Sequence, residues 1–303
     1  MEGEVEVMEA KNMLRIFEAD EFNDMFDIGV TEEFVEGNRI EIPIGVDIQD
    51  ISLGSIVLDD IKVNLFCAGM TGSGKSCLVD DIIFGVASKY SAESIEINYL
   101  DFNRVEALKY LEKIKIRHMN QIIPINMEDE VQAVEALKGL VDEIYNRFKI
   151  LEAIGVTNIV DYNKLAKDKG LNIMKYSIVI LDGVMQVYRM KDSNLYELAS
   201  NTLENILRIC RYIGMHVLVF DQSSYTPRGI MKDLCKVRLA LRCDKETSLK
   251  VIGSNLAAYA FDRCGTVYIN EYNGEPNTPT QIVRFPFQSE DYMMERAKLI
   301  NSK

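Results

Sequence analysis

Histidine is scarce: only His118 and His216 occur in 303 residues, and the six cysteines (67, 77, 210, 235, 243 and 264) include no close pair at metal-ligand spacing. This argues against a zinc site. Cysteines inside apolar runs such as VNLFCAG and LALRCD read as small buried side chains in a reducing compartment. Basic charge is also in deficit. Lys and Arg number 34 against 47 Asp and Glu, a formal net charge of −13. A surface that coats DNA by bulk charge is excluded, and any nucleic-acid contact has to be local. No stretch of about 18 apolar residues exists, and the opening MEGEVEVMEAKNMLRIFEADEF is acidic where an export leader is basic and then apolar. The chain is therefore expected to be soluble and cytoplasmic, with any docking to a membrane complex supplied through other chains or missing segments. Apolar residues at 48% and charged residues at 27% leave no signature of disorder.

The length allows about two domains, or one large α/β unit with an appendage. Residues 1–40 mix helical runs with acidic breaks and read as an N-terminal extension, 41–290 as one domain, and 291–303 as a tail. RIEIPIGVDI and SIVLDDIKV alternate apolar and polar residues around Gly54, which predicts a β-hairpin. Strands are expected at 63–69, 94–102, 121–126, 176–183, 216–222 and 238–243, with a final hairpin from TVYINEY to QIVRFPF. Helices are expected from Lys75 to about Ser88, around 105–111, from about 128 to Ile154 and over 195–213. In the long one, Val131, Val134, Leu137, Leu140, Val141, Ile144, Tyr145, Phe148 and Leu151 recur every three or four residues, and Gly155 stops it. Strands alternating with helices of crossover length predict an α/β fold: a mostly parallel, helix-covered sheet with an N-terminal β-hairpin lead-in.

Residues 69–76 read GMTGSGKS and satisfy G-x-x-x-x-G-K-[ST] at each specified position. The motif follows an apolar strand and opens a helix, the placement its mechanism demands. Gly69, Gly72 and Gly74 let the backbone approach an anion with no Cβ in the way. The candidate nucleotide-binding residues are these three with Thr71, Ser73, Lys75, Ser76 and Cys77. Lys75 would reach the β and γ oxygens and Ser76 would ligate Mg²⁺, so ATP and Mg²⁺ are the expected cofactors. A glycine-rich turn with an exposed lysine is the plainer alternative. A guanine-specifying strand end is absent from VFDQ and LRCD, which argues against a GTP-binding switch.

A magnesium site also needs an acid at the end of a neighbouring strand. YSIVILDG supplies Asp182 after Ile178, Val179, Ile180 and Leu181, the Walker B pattern, unless that aspartate merely ends a strand. A hydrolysing motor of this type usually carries glutamate at the next position, which here is Gly183. Loss of a positioned base forfeits about 10²–10⁴-fold in rate, so nucleotide binding is better supported than turnover. Asp221 in VFDQS and Asp101 in YLDFN are acids that could substitute, or they could be strand-end caps.

From about Glu41 to Phe287 the sequence resembles the FtsK/SpoIIIE family of P-loop motor ATPases. IPIGVDI…VLDDIKVNLFCAGMTGSGKS is similar to the family's lead-in and phosphate loop, and EALKGLVDEIYNRFKILEAIGVTNIVDYN to its long helix. RICRYIGMHVLVFDQ resembles its arginine-bearing helix and sensor strand, and KVRLALRCDKETSLKVIGS a later strand and helix. The resemblance implies a RecA-like sheet and an oligomeric, usually hexameric, ring. It also implies ATP-driven movement of double-stranded DNA or, in type VII secretion relatives, of protein. Lys75 and Ser76 match the phosphate-loop pair, Asp182 the Walker B acid and Gln222 the polar sensor. Arg208 and Arg211 fall on the helix facing the adjoining subunit's nucleotide, where either could act as an arginine finger or remain a solvated arginine. Arg238 and Arg242 match arginines of the later strand.

The sequence departs from the family at Gly183, at Ser223 and Ser224 in place of arginine and proline, and at Asn103 in place of a lysine. No winged-helix module and no membrane segments are evident in this sequence, which favours an accessory, conjugative, phage or secretion-type member. Two functions remain open. One is an ATP-binding motor subunit that couples hydrolysis to DNA translocation. The other is a hydrolysis-deficient scaffold or substrate-recognition domain of a secretion or conjugation machine.

Overall fold

Parallel strands covered on both faces need nearly unbroken apolar runs, and such runs build the centre of this fold. The structure, a computed structural model, describes residues 29–222, 234–260, 265–271 and 281–303. Its strands are β1 (Ile40–Asp47), β2 (Ser52–Leu58), β3 (Leu65–Ala68), β4 (Ile95–Asp101), β5 (Met119–Pro124), β6 (Tyr176–Asp182), β7 (Met215–Asp221), β8 (Val237–Ala240), β9 (Thr266–Glu271) and β10 (Gln281–Arg284). They form one sheet in the order β2-β1-β10-β9-β8-β3-β7-β6-β4-β5. From β8 to β5 the strands run parallel. From β8 back to β2 every pairing is antiparallel.

The helices are α1 (Lys75–Lys89), α2 (Ala107–Glu112), α3 (Glu130–Ile154), α4 (Ile159–Lys169), α5 (Ser193–Ile209), α6 (Lys245–Ile252) and α7 (Glu290–Asn301). Side chains of β3 alternate between two apolar layers: Leu65 and Cys67 pack with Leu78, Ile82 and Val86 of α1. Phe66 and Ala68 pack with α3 and α5. The phosphate-loop helix therefore covers one face, and the two longest helices cover the other.

Several expectations need adjustment. Gly54 lies inside β2, and the hairpin turns instead at 48–51, where Ile51 takes a left-handed φ of 60°. The two expected hairpins are not separate appendages, because β1 pairs with β10 and joins them into one antiparallel flank. The facing edges of the two hairpins are thereby paired, leaving β2 and β5 at the ends of the sheet. In α3, Val131 and Tyr145 are exposed, since the stripe through Val134, Leu137, Ile144 and Leu151 already fills the sheet-facing side. The fourth helix, α4, has no counterpart among the expected helices, although Asn158 caps its start by accepting from Asp161 N at 2.9 Å and Gly170 ends it.

The boundaries drawn at 40 and 291 fall within packed structure. Thr31 N donates to Ser88 O at 2.9 Å, Glu33 N donates to Lys89 O at 2.8 Å, and Val35 is buried. The final residues form α7, whose Met293, Ala297 and Ile300 enter the same layer as α1. The first 28 residues lie outside the described ones.

Both histidines are buried with pKa values pushed down to about 4 by burial. Their ring nitrogens sit at backbone oxygens, His118 Nε2 2.8 Å from Tyr90 O and His216 Nδ1 3.0 Å from Val63 O. They are structural. Cys67, Cys77, Cys210, Cys235 and Cys243 are free thiols, and Cys264 lies outside the described residues. Among the described residues no helix is long and apolar enough to cross a membrane.

One buried cation locks α3 onto the sheet. Arg147 pairs with Glu96 at 3.0 Å and Glu143 at 2.7 Å, and donates to Lys175 O at 2.6 Å and Ile213 O at 3.2 Å. Truncating it strands Glu96 and two carbonyls at low dielectric, which costs far more than a surface pair. Arg147→Met should lower unfolding free energy by about 2–4 kcal/mol, read as a drop in the urea midpoint.

Candidate functional site

β3 is short because the chain must leave the sheet at Gly69. There the loop is laced to both neighbouring strands: Gly69 N donates to Asp221 O at 3.1 Å and Met70 N to Arg242 O at 2.9 Å. Gly72 and Gly74 have φ of 72° and 99°, the left-handed region that side chains resist. Leu78 N donating to Gly74 O at 2.9 Å starts α1. Side chains cap α4, α5, α6 and α7, from Asn158, Asp192, Asp244 and Ser289. Gly74 caps α1 with none, and its first turn carries no acid. The first amides of a helix lack internal partners, and with the helix dipole they favour an anion. Ser73 Oγ is buried with no hydrogen-bond partner among the described residues.

Lys75 turns back over the loop, donating from Nζ to Gly69 O at 2.5 Å and Met70 O at 3.1 Å. Burial lowers its pKa, while Asp182 and Asp221 nearby oppose that shift. These three residues line one cavity of about 410 Å³ together with Thr71, Asn103 and Gln186. Met185, Arg189 and Gln222 complete its rim. Ser76 follows Lys75 in the first turn of α1, with Cys77 half-buried behind it.

Asp182 ends β6, which is not adjacent to β3; β7 runs between them. Burial raises its pKa to about 7, helped by Asp101 in register on β4 and opposed by Lys75 and the Tyr99 hydroxyl at 3.3 Å. Asp221 ends β7, and burial raises its pKa to about 6 against two backbone donors, Gln222 N and Met185 N, each at 2.6 Å. Asp101 is wholly buried and accepts from five successive amides. Asn103 and Arg104 donate to Oδ1 at 2.9 and 3.1 Å, and Val105, Glu106 and Ala107 to Oδ2 at 2.9, 2.9 and 3.0 Å. Of the two acids weighed as substitutes for the missing glutamate, Asp101 is committed to a cap. Asp221 lines the cavity but also holds the turn after β6.

That turn is a 3-10 segment, Val184–Arg189, entered through Gly183 at φ 80°. A Cβ on Gly183 would lie 2.3 Å from Asn103 Nδ2. The volume a side chain at 183 would need is thus occupied by the side chain of Asn103. Gln186 Nε2 in turn donates to Asn103 Oδ1 at 3.3 Å. The sequence marks Gly183 and Asn103 separately and gives no role to Gln186 and Arg189, which stand in the turn directly after the apolar run of β6.

Arg208 and Arg211 do not join this site within the chain. They precede β7, whose far end carries Asp221, so a strand length of about 20 Å separates them. Arg208 pairs with Glu204 at 2.6 Å, and Arg211 lies over the Tyr212 ring at 5.6 Å; both are exposed. Gln222 lines the cavity, whereas Ser223 and Ser224 lie outside the described residues.

With this geometry in hand, residues 31–269 match the FtsK/SpoIIIE family pattern. The chain belongs to the FtsK/SpoIIIE family. DNA translocase FtsK of Borreliella burgdorferi is 28% identical over 252 residues, covering 81% of this chain and 30% of that protein. The Chlorobaculum tepidum translocase is 27% identical over 236 residues, covering 73% and 28%. The chain thus spans under a third of the length of these curated relatives. The cytoplasmic domain of the Thermomonospora curvata type VII secretion ATPase EccC superposes with a TM-score of 0.71 at 22% identity, covering 95% of this chain and 34% of that one. The pCW3 conjugation coupling protein TcpA, determined with ATPγS, gives 0.68 at 21% identity, covering 91% and 72%. At such identities the likeness carries the fold alone: the α/β architecture of P-loop ATPases expected from the sequence.

Asp182 gives this FtsK/SpoIIIE domain a stability linkage of definite sign. Its folded pKa lies above the ordinary carboxylate value, so the proton it holds stabilises the fold at low pH, and that contribution is lost as pH rises through about 7. Asp182→Asn should therefore raise the thermal midpoint of nucleotide-free protein most at about pH 8, with the gain shrinking steadily toward about pH 4, where the carboxyl is protonated in the unfolded chain as well. Melts at both pH values check this; an equal shift at each would assign the effect to something other than titration.

Proposed function

We propose that this chain is an ATP-binding motor subunit that couples nucleotide binding and hydrolysis to translocation of double-stranded DNA in an oligomeric ring. The observation that carries the nucleotide reading is the convergence of the uncapped start of α1, Lys75 and two buried acids on one cavity. The residues fit the ligand: amides of 71–76 and Lys75 would hold phosphates, and Ser76 with Asp182 would hold Mg²⁺. Among the described residues no group of three or more His, Cys, Asp or Glu could hold a metal unaided. That suits an ion whose remaining ligands are phosphate oxygens and water. When bound, the metal supplies charge neutralisation at the reacting phosphates.

Assembly and substrate follow from the family and from charge. Arg208 and Arg211, remote from their own cavity, are available to a neighbouring subunit's nucleotide, which supports a ring, hexameric in the family's usual form. The relatives named DNA translocases support duplex DNA as the substrate. With a net charge of −13, DNA would be met by a few local cations in the ring's pore. Gly183 favours one second reading, a hydrolysis-deficient nucleotide-clamped scaffold that recognises a protein substrate in a secretion or conjugation machine.

ATP binding is common to both readings, and hydrolysis separates them. ATP affinity should fall about 10–100-fold in Lys75→Ala, the value of one or two charge-assisted hydrogen bonds, as read by calorimetry. Steady-state hydrolysis should rise when duplex DNA is added to the assembled protein. Tight ATP binding with no turnover in either condition selects the scaffold. Isolated monomer should bind duplex weakly; tight, salt-sensitive retention of DNA by monomer alone contradicts the pore reading.

A further inference from the structure

We propose that Gln186, held by Asn103, is the water-orienting group of this site and replaces the glutamate absent at position 183. This rests on the ATP-binding reading above. Three observations carry it. Gln186 and Asn103 both line the cavity that holds Lys75, Asp182 and Asp221. Asn103 fills the space a side chain at 183 would need, so a glycine at 183 and the asparagine at 103 fit together in one volume. Gln186 is held at its backbone and at one end of its side-chain amide. Its backbone N donates to Gly183 O at 3.0 Å, and its Nε2 donates to Asn103 Oδ1 at 3.3 Å. Asn103 is fixed in turn through its own amide on Asp101 at 2.9 Å.

The chemistry left to the pair is that of orientation. With Nε2 engaged, Gln186 Oε1 has no donor among the described residues and can accept a hydrogen bond from water. Asn103 Nδ2 can donate to an oxygen beside it. A carboxamide takes no proton, and phosphoryl transfer through a loose transition state asks mainly for a positioned nucleophile. The water oxygen bonds to the γ-phosphorus as the bond to the ADP oxygen breaks; the water proton passes to a phosphate oxygen and leaves with inorganic phosphate. Asp221 is the rival for this task. Each of its oxygens already accepts a short backbone hydrogen bond, from Gln222 or Met185, so its first effect is to hold the turn that carries Gln186. Asn103 is accordingly a positioning residue.

The test compares full-length wild type, Gln186→Ala, Asn103→Ala and Asp221→Asn. Binding of Mg·ADP and of Mg·ADP with aluminium fluoride is measured alongside single-turnover hydrolysis, with thermal melts as the check on folding. Gln186→Ala should keep ADP affinity within about twofold and lose at least about tenfold in affinity for the aluminium fluoride complex, which mimics the transition state. Its hydrolysis should fall at least as far. Asn103→Ala should show the same pattern more weakly, a split between the two ligands that a merely structural loss would not produce. Wild-type aluminium fluoride affinity and turnover in Gln186→Ala overturn the proposal, as does a loss confined to Asp221→Asn. Wild type that fails to bind ADP or ATP overturns the nucleotide reading itself, a different and separately visible outcome.

Discussion

Three carboxylates stand at the carboxyl ends of β4, β6 and β7, side by side in the sheet and largely removed from water, with Lys75 as the cation facing the latter two. Like charges so placed cannot all ionise freely. Backbone amides ease the conflict unequally. Asp101 takes five and Asp221 takes two. Burial still raises the pKa of Asp221 to about 6, and that of Asp182, with only a long hydroxyl contact from Tyr99 among the described residues, rises to about 7. The partition assigns the roles. Two acids shape loops, and the third retains the coordination capacity that a cation can use.

The antiparallel flank and the helices serve that arrangement. The lead-in hairpin is welded to the final one through β10, so the sheet continues past β8 instead of ending beside the phosphate loop. Helices α1 and α7 share one apolar layer, and Arg147 pins α3 across the other. The loop itself is tied to β7 on one side and to the residue after β8 on the other. A displacement of the loop is therefore shared by two strands, one leading to Gln222 and the other to α6.

Much of this was legible in one sequence because the signals are local. An apolar run, a glycine-rich turn and a helix are contiguous in VNLFCAGMTGSGKS, and Asp182 follows its own strand. What escaped is non-local. Nothing in the spacing says that β7 separates β3 from β6, or that the two hairpins pair with each other. Helix α4 carried a cap and a stop, yet its weak apolar stripe buries only Ile159 and Ala166. Gly183 was visible as a missing glutamate, but its meaning lies in Asn103, which arrives from a strand some eighty positions earlier and claims the same volume. Buried Arg147 is likewise unreadable from a helical pattern that treats every arginine as solvated.

The five amides gathered on Asp101 form a nest of successive backbone donors, the same concave motif that phosphate loops offer to anions. The fold thus carries two such cradles, separated in the sheet by β7 and β6, and one of them is occupied by a carboxyl group of the chain itself. The cradle at β4 is closed by a side chain of the protein itself, whereas no side chain caps the one at α1.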